Sequence, residues 1–131
     1  MRGWVEMMVS EGTVIVTGAT RGIGRATVEA ILERGGKVVA LARDAQSLRA
    51  LEASATGRVR AVPADLEDAD DVPEAAQRAI DAFGRVDGLV NCAGIARYQS
   101  VGAIDLGSIE AQLRVNLVAP LLLSQAVAHH L

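Results

Sequence analysis

The sequence predicts an α/β fold in which one parallel sheet carries helices on both faces, and three observations point to it. Short apolar, β-branched runs at 13–17, 37–42, 58–62 and 87–91 alternate with longer segments of helical period. The links are short, with glycine stops at Gly35-Gly36, Gly57 and Gly84, so each strand returns parallel through a right-handed crossover. The first run meets Gly18, passes Gly22 and Gly24, and leaves as a helix, the strand-turn-helix unit of a doubly wound sheet. A chain of 131 residues fits one such domain and buries roughly two thirds of its surface.

Composition narrows the function. Thirteen Lys plus Arg against sixteen Asp plus Glu give a net charge of −3, and the arginines are scattered, which argues against nucleic acid and anionic membrane as partners. Cys92 is the single cysteine, so there is no internal disulfide, no thiolate metal cluster, and no conflict with a reducing, cytoplasmic setting. No apolar run approaches membrane-spanning length.

Residues 1–12 read as an irregular leader with Trp4 or Val5 laid against the domain, and 13–131 as the domain itself. The helix after strand 13–17 presents Ile23, Ala26, Thr27, Ala30, Ile31 and Leu32 as its apolar stripe, with Arg25, Glu29, Glu33 and Arg34 outward. Strand 37–42 leads to a helix over 44–55, with Ala45, Leu48, Leu51 and Ala55 inward. Strand 58–62 runs into Pro63-Ala64-Asp65-Leu66. A helix over 70–83, acidic at its head, buries Val72, Ala75, Ala76, Ala79, Ile80 and Phe83. Strand 87–91 reaches Cys92-Ala93-Gly94, and 95–107 is a loop holding Tyr98. Asp105 then caps a long helix with Ile109, Leu113, Leu117, Leu121 and Ala128 as its apolar face. Within that helix Pro120 has no N–H for the carbonyl of Asn116, which must find another partner.

The glycine turn carries the first chemistry. A strand feeding a helix through glycines leaves unpaired N–H groups and the positive end of a helix dipole facing one spot, which suits a phosphate. Side chains there would hold the anion off. Taken alone, the triplet is equally well explained by the sterics of a tight turn.

The wording Thr17-Gly18-Ala19-Thr20-Arg21-Gly22-Ile23-Gly24 resembles the TGxxxGIG signature of the short-chain dehydrogenases/reductases, with the glycine spacing of the compact subfamily. Asn91-Cys92-Ala93-Gly94 is similar to that family's NNAG motif, with Cys92 in place of the second asparagine, and Asn116-Leu117 to its NL pair. The resemblance implies a Rossmann-type sheet cut to about four strands in the order 3-2-1-4, in enzymes that move hydride between NAD(P)(H) and a carbonyl or alcohol. It implies cofactor contacts from Gly18, Thr20, Arg21, Gly22, Ile23 and Gly24. It further implies a hydrogen bond from the adenine amino group to Asp65, backbone help from Leu66, and a small turn at Asn91, Ala93 and Gly94 beneath the adenosine, with the Asn91 amide tying strand to strand. Asp65 serves equally as a turn residue or helix N-cap, and the two roles are compatible. Asn116 takes the place of the asparagine in an Asn-Ser-Tyr-Lys tetrad, its carbonyl holding a water in a proton relay; the alternative is a kink in a packing helix.

The end of the second strand separates the two nicotinamide cofactors. An acid there would bond both ribose hydroxyls, whereas a cation without an acid can hold a 2′-phosphate. Ala42 occupies the acidic position and Arg43 follows; Arg21 stands where NADP-preferring relatives carry a basic residue. NADP(H) is therefore expected over NAD(H), with Arg43 and Arg21 converging on the phosphate. The alternative is two solvated arginines, Arg43 paired with Asp44.

The resemblance covers the N-terminal half of such an enzyme. The catalytic serine and the Tyr-x-x-x-Lys pair do not occur in these residues: Tyr98 is the one tyrosine, and Lys37, the one lysine, precedes it and starts a strand. The chain thus reads as the cofactor-binding half of an NADP(H)-dependent carbonyl or 3-oxoacyl reductase. It is expected to have an open fourth-strand edge and a last helix short of neighbours, both suited to a homo-oligomer or other association. A non-catalytic dinucleotide- or partner-binding module, and a structural fragment without cofactor, are the alternatives.

Overall fold

The strand β1 (Thr13–Thr17) is buried along its whole length because both faces of the sheet are covered, and its alternate residues serve two cores. Val14 and Val16 pack with Val38, Ala40 and Val59 against Val28 and Ile31 of α2 (Gly22–Glu33) and Leu48 and Leu51 of α3 (Ala45–Ser54). Ile15 packs on the other side with Val39 and Leu41, Val72 and Ala76 of α4 (Asp71–Asp81), and Leu123 and Val127 of α6 (Ala119–Ala128). The protein is described from a computed structural model that covers residues 3–131, apart from the side chains of Trp4, Val5, Met7 and Met8.

Four parallel strands lie in the order β3-β2-β1-β4, with β2 at Lys37–Ala42, β3 at Val59–Pro63 and β4 at Gly88–Asn91. This is the doubly wound α/β sheet expected from the sequence. The register sets Thr17 beside Leu41 and Asn91, and Ala42 beside Pro63, so all four strands deliver their following loops to one edge. At the opposite edge Asp87 accepts the Thr13 N–H at 2.8 Å and pairs with Arg85, fixing the start of β1 to the start of β4.

Several expectations are corrected. The leader is not irregular: α1 (Trp4–Glu11) is a helix whose last turn lies against Gly35-Gly36, where a Cβ on Gly36 would come within 2.3 Å of the Val9 carbonyl oxygen. Its start has no side-chain cap to announce it. The packing of Trp4 or Val5 lies outside the described residues. In α2 the buried positions are Gly24, Val28 and Ile31, while Ile23 is 80% exposed and Ala26 is also exposed. The phase is set by backbone approach: a Cβ on Gly24 would sit 2.0 Å from the Gly18 carbonyl oxygen. The strand expected at 58–62 runs one residue later, Arg58 being held in a turn by its N–H bond to Ala55. Phe83 is half-buried, its ring under Lys37 and Arg60.

The largest correction concerns the last helix. Asp105 does cap α5 (Leu106–Leu113), which continues through a widened π turn (Arg114–Val118) into α6. Its buried line is Ala111, Val115, Ala119, Leu123 and Val127. Ile109, Leu113, Leu117 and Leu121, the expected core face, are between 42% and 61% exposed, and Ala128 is exposed as well. Both faces carry apolar residues four apart, and the face with the small side chains of Ala111 and Ala119 is the one that can approach closely.

Candidate nucleotide site

The loops at the C-terminal edge of the sheet enclose a cavity of about 810 Å³, within the range of small-molecule and cofactor sites. One wall is the glycine turn. Gly18 and Gly22 have φ of +62° and +56°, a backbone that only glycine adopts without strain. The two differ in surroundings. A Cβ on Gly18 would meet the backbone of Ala93 at 2.9 Å, so that glycine allows two loops to touch; at Gly22 nothing lies within 4 Å, so a side chain there would project into open space beside the cavity. The N-cap of α2 is Arg21, whose side chain makes no capping bond. The first N–H groups of α2 are thus left for a ligand, at the positive end of the dipole.

The second wall comes from the turn after β2. Ala42, Arg43, Asp44 and Ser47 line it. Asp44 does not pair with Arg43: its carboxylate caps α3, accepting the Gln46 N–H at 3.0 Å, the Ser47 N–H at 3.3 Å and the Ser47 hydroxyl. The Ser47 hydroxyl and N–H hold the Asp44 carboxyl below the usual carboxylate range. Among the described residues Arg43 enters no ion pair, and Arg21, also on the cavity, enters none.

After β3, Ala64, Asp65 and Leu66 form the third wall. Asp65 is a turn residue, accepting the Glu67 N–H at 3.0 Å, and stands well before α4, so it is not that helix's N-cap. After β4 comes the fourth wall, residues 92–95. Its strand-to-strand tie is not made by Asn91, which is exposed and lies off the cavity. Thr17 makes it, its buried hydroxyl oxygen accepting the N–H groups of Cys92 at 3.1 Å and Ala93 at 3.0 Å. A threonine closing a strand just before a glycine was the available signal, hidden because threonine is also ordinary strand filling.

Asn116 lies in the π turn and clamps the same wall: its amide oxygen accepts the Ile95 N–H and its amide nitrogen donates to the Ile95 carbonyl, both at 2.8 Å. Of the sequence-derived candidates, Gly18, Thr20, Arg21, Gly22, Ile23, Gly24, Arg43, Asp65, Leu66, Ala93 and Gly94 meet around one cavity; Asn116 stands behind it and Asn91 beside it. Tyr98 is 95% exposed in the following loop, and Lys37 starts β2 at the far edge with its Nζ 5.3 Å from the Phe83 ring centre.

The short chain dehydrogenase family model matches residues 12–131. The chain belongs to the short-chain dehydrogenase/reductase family. It is 39% identical over 130 residues to the short-chain reductase protein NovJ of Streptomyces niveus, covering 96% of this chain and 50% of that protein. It is 37% identical to human L-xylulose reductase, over 97% of this chain and 50% of that one. A solved short chain dehydrogenase from Burkholderia cenocepacia in complex with NADP superposes with a TM-score of 0.84 at 38% identity, over 90% of this chain and 50% of that structure. The chain spans about half the length of the curated relatives it matches. Among the described residues no helix is long and apolar enough to cross a membrane.

Proposed function

We propose that this chain is the cofactor-binding half, residues 13–131, of an NADP(H)-dependent oxidoreductase that reduces a carbonyl, such as a ketone or 3-oxoacyl group, to an alcohol. The observation that carries the reading is the uncapped α2 N-terminus opening onto the cavity across Gly22. Gly18, Thr20, Gly22, Ile23 and Gly24 hold the pyrophosphate, Asp65 and Leu66 the adenine, and Ala93 and Gly94 the adenosine side, while Asn91 lies beside the cavity. The unpaired Arg43 and Arg21 hold the 2′-phosphate, since a guanidinium not committed to a carboxylate is free to make charge-assisted bonds. Bound NADP(H) supplies or accepts the hydride; Asn116 fixes the wall beside it through Ile95. That the similar Burkholderia cenocepacia structure holds NADP supports the choice of cofactor.

Arg43→Ala tests the phosphate assignment. By calorimetric titration it is expected to weaken NADPH by roughly tenfold or more and NADH hardly at all, a charged hydrogen bond contributing about 1.5–3 kcal/mol. Equal losses for both cofactors would contradict it. A second reading, a dinucleotide-holding module without its own acid, is favoured by the separation of Tyr98 from Lys37; a carbonyl-reduction assay with NADPH on the protein as its gene encodes it distinguishes the two. Self-association through the β4 edge and the exposed Leu113, Leu117 and Leu121 is part of the same proposal, and light scattering over a dilution series reads it. A cytoplasmic location suits the free thiol of Cys92.

A further inference from the structure

The loop leaving the fourth cavity wall is gripped twice by α5 and the π turn. Asn116 holds both backbone groups of Ile95, and Gln112, one turn earlier, accepts the Arg97 N–H on its side-chain oxygen at 3.1 Å. The other end of the Gln112 amide is also committed, donating to the Ser108 carbonyl at 3.1 Å, so the acceptor oxygen cannot turn away. Ile95 and Arg97 are two apart and Gln112 and Asn116 four apart. Residues four apart share one side of a helix, so the side chains of Gln112 and Asn116 reach alternate residues of the loop. The N–H groups of Ala96 and Tyr98 have no protein acceptor among the described residues, the alternation that a one-sided ladder produces.

Arg97 links this loop to the segment of the third wall. Its guanidinium lies 3.6 Å from Glu67, which directly follows Asp65 and Leu66 of the third wall. The third and fourth walls are thereby joined through one residue whose main chain Gln112 fixes. An exposed ion pair alone holds little, so the main-chain bond is the stronger link.

We propose that Gln112 is a positioning residue for the nucleotide cavity: with Asn116 it forms a two-rung ladder that holds residues 95–97 extended and sets the gap between Leu66 and Ile95. This rests on the nucleotide reading above.

Residue-resolved amide exchange on the 131-residue chain, with NADPH titration, tests it. In the unsubstituted chain Ile95 and Arg97 exchange slower than Ala96 and Tyr98. Gln112→Ala, which favours the helix, speeds Arg97 exchange about tenfold, leaves Ile95 protected and raises the NADPH Kd several-fold. Gln112→Glu keeps the acceptor oxygen but loses the donor to the Ser108 carbonyl, so its Arg97 exchange falls between those of the parent and Gln112→Ala. Uniform exchange across 95–98, or an unchanged Arg97 exchange or NADPH Kd in Gln112→Ala, would overturn the ladder. Alternating exchange in a chain that takes up no NADPH would overturn the nucleotide reading, and the purpose given to Gln112 with it.

Discussion

Thr17 shows how one side chain can hold a site it does not enter. Among the described residues its hydroxyl oxygen is the protein acceptor for two N–H groups of the fourth wall, and the residue is 1% exposed. Thr17→Val keeps shape and β-branching but leaves both donors without a partner, so denaturant unfolding should show a loss of about 2 kcal/mol, with Thr17→Ser close to the parent. A Val variant as stable as the parent would mean that water serves those donors. Glycine positions were legible in the sequence because only sterics decide them: Gly18 is needed for contact with Ala93, Gly24 for contact with Gly18, and Gly22 for its open face and positive φ. The roles of Thr17 and Gln112 were not legible, because each depends on a partner 75 or 15 residues away rather than on a local pattern.

Among elements, the strands lie close to where their continuous apolar runs put them, both faces of the sheet being covered, and α3 and α4 close to where their periodicity puts them, since each helix has one apolar face. The last helix does not, because apolar residues occupy two faces and only packing against the rest of the molecule chooses between Leu113-Leu117-Leu121 and Val115-Ala119-Leu123. At the lower sheet edge, β1 and β4 are joined through Asp87. The Arg85 guanidinium, and then the Thr13 N–H, hold its carboxyl below the usual carboxylate range despite partial burial. A depressed folded-state pKa gives stability that is complete above the ordinary carboxylate value of about 3.9 and is lost as pH falls through the folded value. Asp87→Asn should therefore unfold more easily than the parent at neutral pH, with the gap narrowing as pH falls below the ordinary carboxylate value. A gap independent of pH would remove the charge from the explanation.

For the whole molecule, short glycine links and right-handed crossovers make the sheet parallel, its order is the one the family resemblance implies, and it collects four loops at one edge. The cavity among them was legible as a glycine turn and an arginine after β2. Its closed walls were not, since they are built from loop contacts between strands that are neighbours only in space. The first turn of α2 is expected to receive a pyrophosphate. A crystal structure of the chain soaked with NADPH should show that group against the N–H groups at Gly22–Gly24, passing over the bare Cα of Gly22, with the Arg43 guanidinium on the 2′-phosphate. A nucleotide bound elsewhere, or an α2 N-terminus closed by the protein's own side chains, would contradict it.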